Sequence, residues 1–451
     1  MNPKKYMREY FTEVMHTTLN PEGPGVVRIH LIPPKEMDGN IAPSVAIING
    51  QDIIPVNPSW SILLAEFIKN VNEYHGREVS DQDIEDILKK TVSGVKRVYW
   101  LTSGKRIRKD LETMMTTFKQ VAYGQPVTED IGYMNIGEYA GFMKAPHRMD
   151  LMVSAMEKDG KWNCNQSCVH CYAAGQCDAS EKELGTKAWK SILEKLRNIG
   201  VTQVTFTGGE PTMRDDLFEL IEAAKWFVSR LNTNGIKLTE DYCAKLREAE
   251  IDSVQITFYS HDREIHNKLV GAAHYDETVA GIENALKAGI SLSVNTPLCT
   301  LNEDYVSTLK FLKEKGVRYV TCSGLITTGN ALTEESESLQ LSVEKIKQVL
   351  ADAADYAFAN DMEISFTSPG WIDAEFFKEH ALSTPNCGAC LSNMAITPGG
   401  HVVPCQSWLS GDILGDIQKD KWTTIWNSET CRKRREYSAL MLGRCPLRKE
   451  K

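Results

Sequence analysis

Between residues 150 and about 325 the chain alternates short apolar runs with longer stretches of helical period. The runs at 151–155, 203–207, 227–231, 253–259, 291–296 and 318–322 read as strands, and most are separated by a dozen or more residues with apolar positions at helical spacing. That order predicts βαβ units and a parallel sheet covered by helices. Six such units make a partial barrel or an open sheet, and ligands on either gather at the C-terminal ends of the strands.

The flanks read differently. Residues 44–56 predict a β-hairpin, with Asn49-Gly50 supplying a turn that needs positive φ. From 59 to 74, Trp60, Leu63, Leu64, Phe67 and Val71 fall at helical spacing. A second helix starts at Ser80, with Asp83 at the capping-box position and Ile84, Ile87 and Leu88 on its apolar face. Two strands followed by two helices predict a winged-helix-like module over 1–102. Residues 103–147 read as a connector, helical from 105 to 121 and broken at Tyr123-Gly-Gln-Pro-Val127. The barrel occupies 148–335. The last region, 336–451, opens with a helix at 343–359 and a strand at 362–366, then becomes loop-rich.

Composition refines this picture. A chain of 451 residues suggests two or three domains, and 42% hydrophobic with 25% charged residues is ordinary for a globular protein. A net charge of -9 gives no global attraction to nucleic acid or anionic membranes. No apolar run reaches the roughly 18–20 residues of a membrane span, and residues 1–10 lack the apolar core of a signal peptide. The expectation is a cytoplasmic protein with neither nucleic acid nor membrane as partner.

Of twelve cysteines, four lie between 164 and 177 and five between 387 and 445; Cys243, Cys299 and Cys322 are scattered in apolar-rich segments. Structural disulfides are rare in a reducing compartment, so the clustering points to metal ligation at two places. The first cluster, Trp162-Asn-Cys164-Asn-Gln-Ser-Cys168-Val-His-Cys171-Tyr172, follows the first barrel strand. Soft thiolates suit iron–sulfur clusters or zinc. Three on one loop can hold three corners of a cubane and leave the fourth iron open to chelate an amino acid. Thr207-Gly208-Gly209-Glu210-Pro211 ends the second strand, where paired glycines allow close backbone approach and Glu210 can accept from an ammonium. Cys177 reads as incidental, and His261 and His266 as loop or helix-surface residues.

These residues resemble the radical S-adenosylmethionine (SAM) superfamily, whose signature is C-x3-C-x2-C at the first βα loop of a partial (β/α)6 barrel. The resemblance implies a 4Fe-4S cluster on Cys164, Cys168 and Cys171, the catalytic centre. It implies SAM held near Tyr172, Gly208, Gly209, Glu210 and Pro211, and by Asn232, Thr257, Ser260, Asn295 and Ile326 at later strand ends.

Further on, Cys390-x9-Gly400-x4-Cys405 resembles twitch and SPASM domains, C-terminal extensions that carry auxiliary clusters. The late C-x2-C-x5-C-x3-C run of a full SPASM domain is absent. One auxiliary 4Fe-4S cluster on Cys387, Cys390, Cys405 and Cys445 is the expectation, with a three-cysteine open site as the alternative and Cys431 structural or incidental. The N-terminal module resembles PqqD-like leader-recognition domains, which implies a precursor peptide or protein as substrate. A flavodoxin- or ferredoxin-type protein is the expected electron donor. The alternatives are a small-molecule substrate and, in a different class, a structural zinc protein.

Overall fold

The computed structural model describes residues 1–19, 27–34, 36–37, 40–41, 43–50, 52–75, 77–127, 129, 131–132, 134–441 and 444–447. Two compact units emerge: Met1–Lys144 with Arg197–Thr202, and Ala145–Leu196 with Gln203–Lys451.

In the first unit, strands β1 (Met15–Leu19), β2 (Val27–Ile32), β3 (Ser44–Ile48) and β4 (Asp52–Val56) form one antiparallel sheet in that order. The expected hairpin is β3–β4. Asn49 and Gly50 take φ of 48° and 71° at its turn, while Gln51 of that hairpin lies outside the described residues. β1 and β2 extend the two strands read from the sequence to four. Helices α1 (Pro3–Glu9), α2 (Pro58–Asn72), α3 (Asp81–Lys96) and α4 (Gly104–Ala122) accompany the sheet. Ser80 and Asp83 form the expected capping box on α3. The segment read as a connector does more than connect. Ile107, Leu111, Met114 and Phe118 of α4 join Ile29, Leu31, Ala46 and Ile48 of the sheet and Ile62 and Leu64 of α2 in one core. Glu66, buried in that core, is satisfied by the Tyr6 hydroxyl at 2.6 Å and by Arg97 at 2.9 Å.

The second unit is built on a ten-stranded sheet. Seven strands run parallel in sequence order: β5 (Arg148–Ser154), β6 (Gln203–Gly208), β7 (Val228–Thr233), β8 (Ser253–Thr257), β9 (Ser291–Pro297), β10 (Tyr319–Ser323) and β11 (Glu363–Phe366). The six expected barrel strands are all present. The strand expected in the C-terminal region, β11, is instead the seventh strand of this sheet, reached through the long helix Val343–Ala359. On the other side of β5 the sheet continues with β12 (Asn393–Ile396), parallel to it, and then β13 (His401–Val403) and β14 (Gly415–Asp416), both antiparallel.

Residues alternate along the parallel strands. Val204, Phe206, Leu231, Val254, Ile256, Val294 and Val320 are buried. Their neighbours Thr205, Thr207, Arg230, Asn232, Gln255, Thr257, Asn295 and Thr321 line a cavity on the other face. The period of two thus serves both the core and a polar interior. Among the described residues no helix is long and apolar enough to cross a membrane.

His266 is a correction: it is buried, not on a helix surface, and its Nδ1 accepts the Tyr259 N–H at 3.3 Å. Burial holds His147 and His266 at about 4, below the ordinary value of 6.5. The unfolded chain therefore takes up these protons first. Their contribution to stability is complete above pH 6.5 and is lost as pH falls from 6.5 toward 4, with a slope up to about 1.4 kcal/mol per pH unit for each. Urea midpoints measured from pH 7 to pH 5 should fall; a flat profile would contradict this assignment.

Candidate active site

The cavity at the strand ends encloses about 690 Å³. Its wall includes Cys164, Cys168, Cys171 and Tyr172 from the loop after β5, Gly208, Gly209 and Glu210 after β6, and Asn232, Thr257, Asn295 and Ile326 from later strands and loops. Cys387, Cys405 and Cys445 line it as well. Of the residues singled out from the sequence, three lie off the wall. Pro211 is buried in a short 3-10 turn. Ser260 is buried with its hydroxyl accepting the Asp262 N–H at 3.1 Å. Cys390 is buried beside Cys431.

Backbone contacts set the first cysteine loop. Ser167 and Val169 donate their N–H groups to Val270 and Leu269 carbonyls, each at 3.0 Å. Asn330 donates its N–H to the Cys171 carbonyl at 2.9 Å and its side-chain amide to the Cys168 carbonyl at 3.3 Å. Gly329, with φ of 57°, passes so close that a Cβ there would sit 2.4 Å from the Tyr172 carbonyl oxygen. These contacts hold the loop from two sides and fix where its thiols emerge. Each thiol is pushed up by burial, Cys164 to about 12, and the three lie close enough for Cys164 and Cys171 to raise Cys168 further. The Cys168 thiol donates to the Gln166 side-chain oxygen at 3.8 Å, and Tyr259 lines the same wall. Buried thiols without a cation resist ionisation, which an iron cluster would reverse. Among the described residues no three His, Cys, Asp or Glu side chains converge at single-ion distance.

Gly208 is the place where β6 meets the end of β5. Its φ is 136°, the register shifts there, and a Cβ would lie 2.1 Å from the Ser154 carbonyl oxygen. Only glycine tolerates that approach. Glu210 is held on four donors: Thr212 N–H at 3.0 Å, Thr212 hydroxyl at 2.6 Å, Thr233 hydroxyl at 2.7 Å and Asn234 N–H at 2.8 Å. Burial raises its pKa, and these donors oppose the rise. A carboxylate fixed in this way is ready for a cationic ligand. The side-chain oxygen of Asn232 is buried without a partner, an acceptor left for a ligand. Thr233, Asn234 and Tyr259 were missed as site residues, although Leu231-Asn-Thr-Asn-Gly235 marks the first two in the sequence.

The second cysteine group divides. Cys405, pushed to about 12 by burial, feels the charges of Cys445 and Cys387, its companions on the cavity wall. Cys390 instead lies against Cys431, whose proximity raises the Cys390 thiol while Cys431 is lowered; the Arg435 guanidinium donates to the Cys431 sulfur at 3.5 Å. Cys177 is exposed. The donor set of three thiols beside a fixed carboxylate and paired glycines fits an iron–sulfur cluster with a chelated amino acid, and Cys387, Cys405 and Cys445 fit a further cluster.

The Radical SAM superfamily profile matches residues 163–312, and that of an iron-sulfur cluster-binding domain, SPASM, matches residues 387–446. An AdoMet-dependent heme synthase of Oleidesulfovibrio alaskensis is 28% identical over 282 residues, 58% of this chain and 72% of that protein. Mycofactocin maturase MftC of Mycolicibacterium smegmatis is 27% identical over 293 residues, 60% and 70% of the two chains. The crystal structure of Streptococcus suis SuiB bound to precursor peptide SuiA shares the fold, with a TM-score of 0.58 at 13% identity over 90% of this chain and 92% of that one. The chain therefore carries a radical SAM domain, with its 4Fe-4S cluster and S-adenosylmethionine, and a C-terminal SPASM domain that implies an auxiliary iron–sulfur cluster.

Proposed function

We propose that this chain cleaves SAM reductively and uses the resulting radical to modify a ribosomally made peptide or protein. The observation that carries the chemistry is the meeting of Cys164, Cys168, Cys171 and Glu210 on one cavity wall with Cys387, Cys405 and Cys445. A 4Fe-4S cluster held by Cys164, Cys168 and Cys171 would supply the electron for reductive cleavage of SAM and so the radical chemistry at the substrate. The chain's part is positioning and shielding. Glu210 would accept the SAM ammonium, Gly208 and Gly209 would admit its amino-acid end, and Asn232 and Asn295 would offer polar contacts to its adenosyl end. Cys387, Cys405 and Cys445 hold the auxiliary cluster that supports net oxidation, such as a cross-link. A flavodoxin- or ferredoxin-type protein delivers the electron.

A peptide substrate is supported by the likeness to SuiB, seen with its precursor peptide, and to MftC, a maturase. It is further supported by the antiparallel sheet of the first unit, whose outer strand β1 offers a place for strand addition by a leader in the PqqD-like manner. The likeness to a heme synthase favours a second reading, in which the substrate is a small molecule or cofactor precursor.

Anaerobic reconstitution with SAM and dithionite tests the chemistry: 5′-deoxyadenosine should accumulate, and its absence from a preparation with full iron would refute the proposal. Leader peptides encoded nearby should bind the reconstituted chain and raise turnover; indifference to all of them turns the reading to the small molecule. Glu210→Gln removes a charge-assisted contact of about 1.5–3 kcal/mol and should weaken SAM binding by roughly 10- to 100-fold. Titration calorimetry on the reconstituted protein reads that loss, and unchanged affinity would free Glu210 from the role.

A further inference from the structure

Charge is unevenly matched inside the barrel. Among the described residues only two carboxylates line the cavity, Asp150 and Glu210. Glu210 is committed to its four donors and, in the proposed function, to the SAM ammonium. Asp150 is committed to Arg148, with Nε 2.9 Å from Oδ1 and a second guanidinium nitrogen 3.4 Å from Oδ2. The cavity has a second guanidinium, Arg230 on β7. Across the sheet, Thr205 on one side and Ser253 on the other occupy its register, neither of them an anion. The Arg230 side chain makes no hydrogen bond or ion pair among the described residues. Burial, and then the charge of Arg148, hold it below the ordinary guanidinium range, with only Asp150 opposing. Two cations thus share one carboxylate in a partly dehydrated chamber. Charges in such places are normally paired, and a guanidinium is shaped to grip a carboxylate with two parallel hydrogen bonds.

We infer that Arg230, beside the Arg148–Asp150 pair, forms a subsite for a carboxylate group of the substrate. The subsite lies four residues before Asn234 along β7, about 13 Å at ~3.3 Å per residue. It therefore sits well inside the barrel from the Glu210 end. Polar groups also stand on the neighbouring strands, where Gln255 and Asn295 both engage Thr321, at 3.3 and 2.8 Å. The inference rests on the proposed function in taking this cavity as the substrate chamber. It adds the chemical class of the group that enters: an acidic side chain of a peptide, or the acid group of a small molecule.

The test uses the reconstituted full chain with SAM bound. Two matched pairs of probes are titrated: N-acetylglutamate α-amide against N-acetylglutamine α-amide, and propionate against propionamide. At least one carboxylate should bind roughly 10-fold or more tighter than its amide, the scale of one charge-assisted hydrogen-bond pair. Preference in the first pair alone marks a peptide side chain, and preference in both marks a free acid. Arg230→Gln should erase the preference, and Arg230→Lys should restore part of it. Equal binding of acid and amide by the wild-type chain overturns the inference without recourse to any variant. So does inorganic phosphate binding more tightly than either acid. The inference also fails if Arg230→Gln keeps the preference and instead shifts the auxiliary-cluster reduction potential, since the guanidinium would then serve the iron. Formation of 5′-deoxyadenosine is followed in the same preparation. If it forms while the acids show no preference, the carboxylate subsite fails and the SAM chemistry stands; if it does not form, the SAM chemistry fails on its own.

Discussion

Cys168→Ala should abolish 5′-deoxyadenosine formation, a fall of three orders of magnitude or more, because nothing else in the loop can replace a missing corner of the cluster. The Cys168 thiol donates to the Gln166 side-chain oxygen at 3.8 Å, and its carbonyl is held by Asn330. The backbone of the loop would therefore keep its shape with the sulfur gone. Iron content should drop by about four atoms per chain, the content of one cubane. Cys243→Ala is the control, since Cys243 is fully buried on the helix Glu240–Glu248, away from the cavity wall. It should keep both its iron and its SAM cleavage. Iron analysis and product chromatography on the two variants separate loss of a ligand from loss of the fold. A Cys168→Ala protein that still made 5′-deoxyadenosine at the wild-type rate would end the assignment.

The second large effect is a split. Replacing Cys387, Cys405 and Cys445 together by alanine should remove the iron of the auxiliary site, about half of the total, and leave SAM cleavage in the absence of substrate within about tenfold. Formation of modified product should fall by about a hundredfold or more. The reason is geometric: these thiols share the cavity wall with the first three but come from other segments, Cys387 before β12, Cys405 after β13 and Cys445 beyond the helix Glu429–Ala439. Mössbauer spectra and product yields on the triple variant measure the two halves of the expectation. Unchanged product would remove the auxiliary cluster from the reaction, and loss of SAM cleavage would show that the two sites cannot be separated.

Much of this could be read from residue order because one physical pattern served two purposes. In Val204-Thr-Phe-Thr207 or Gln255-Ile-Thr257 the alternation that identifies a strand also separates core from cavity. The strands were legible, yet the polar face was not read as a wall. Arg230 passed unnoticed because a charged residue within a strand is equally consistent with solvent. β2, Val27-Arg-Ile-His-Leu-Ile32, carried the same alternation and was overlooked. The side chains of Arg28 and His30 proved buried as well, so polarity did not mark an outer face there. His266 misled for a related reason. In Arg263-Glu-Ile-His-Asn-Lys-Leu-Val270, Ile265 pairs with Leu269 and His266 with Val270 at the same helical spacing. Both pairs can face inward, and the tertiary packing of Phe258 and Tyr275 around the imidazole decided it. The partner of Cys390 was beyond the reach of spacing, because the contact with Cys431 joins a loop to the helix Glu429–Ala439.

One strand, β5, is hydrogen-bonded to β6 on one side and to β12 on the other, with Arg148 opposite both Gln203 and Asn393. A chain cut before Asn393 would strip β5 of one neighbour and bare a row of unsatisfied amides and carbonyls, a template for self-adhesion. The two iron-bearing regions are thus not modules to be shuffled or produced apart: solubility of the first depends on synthesis running through the second.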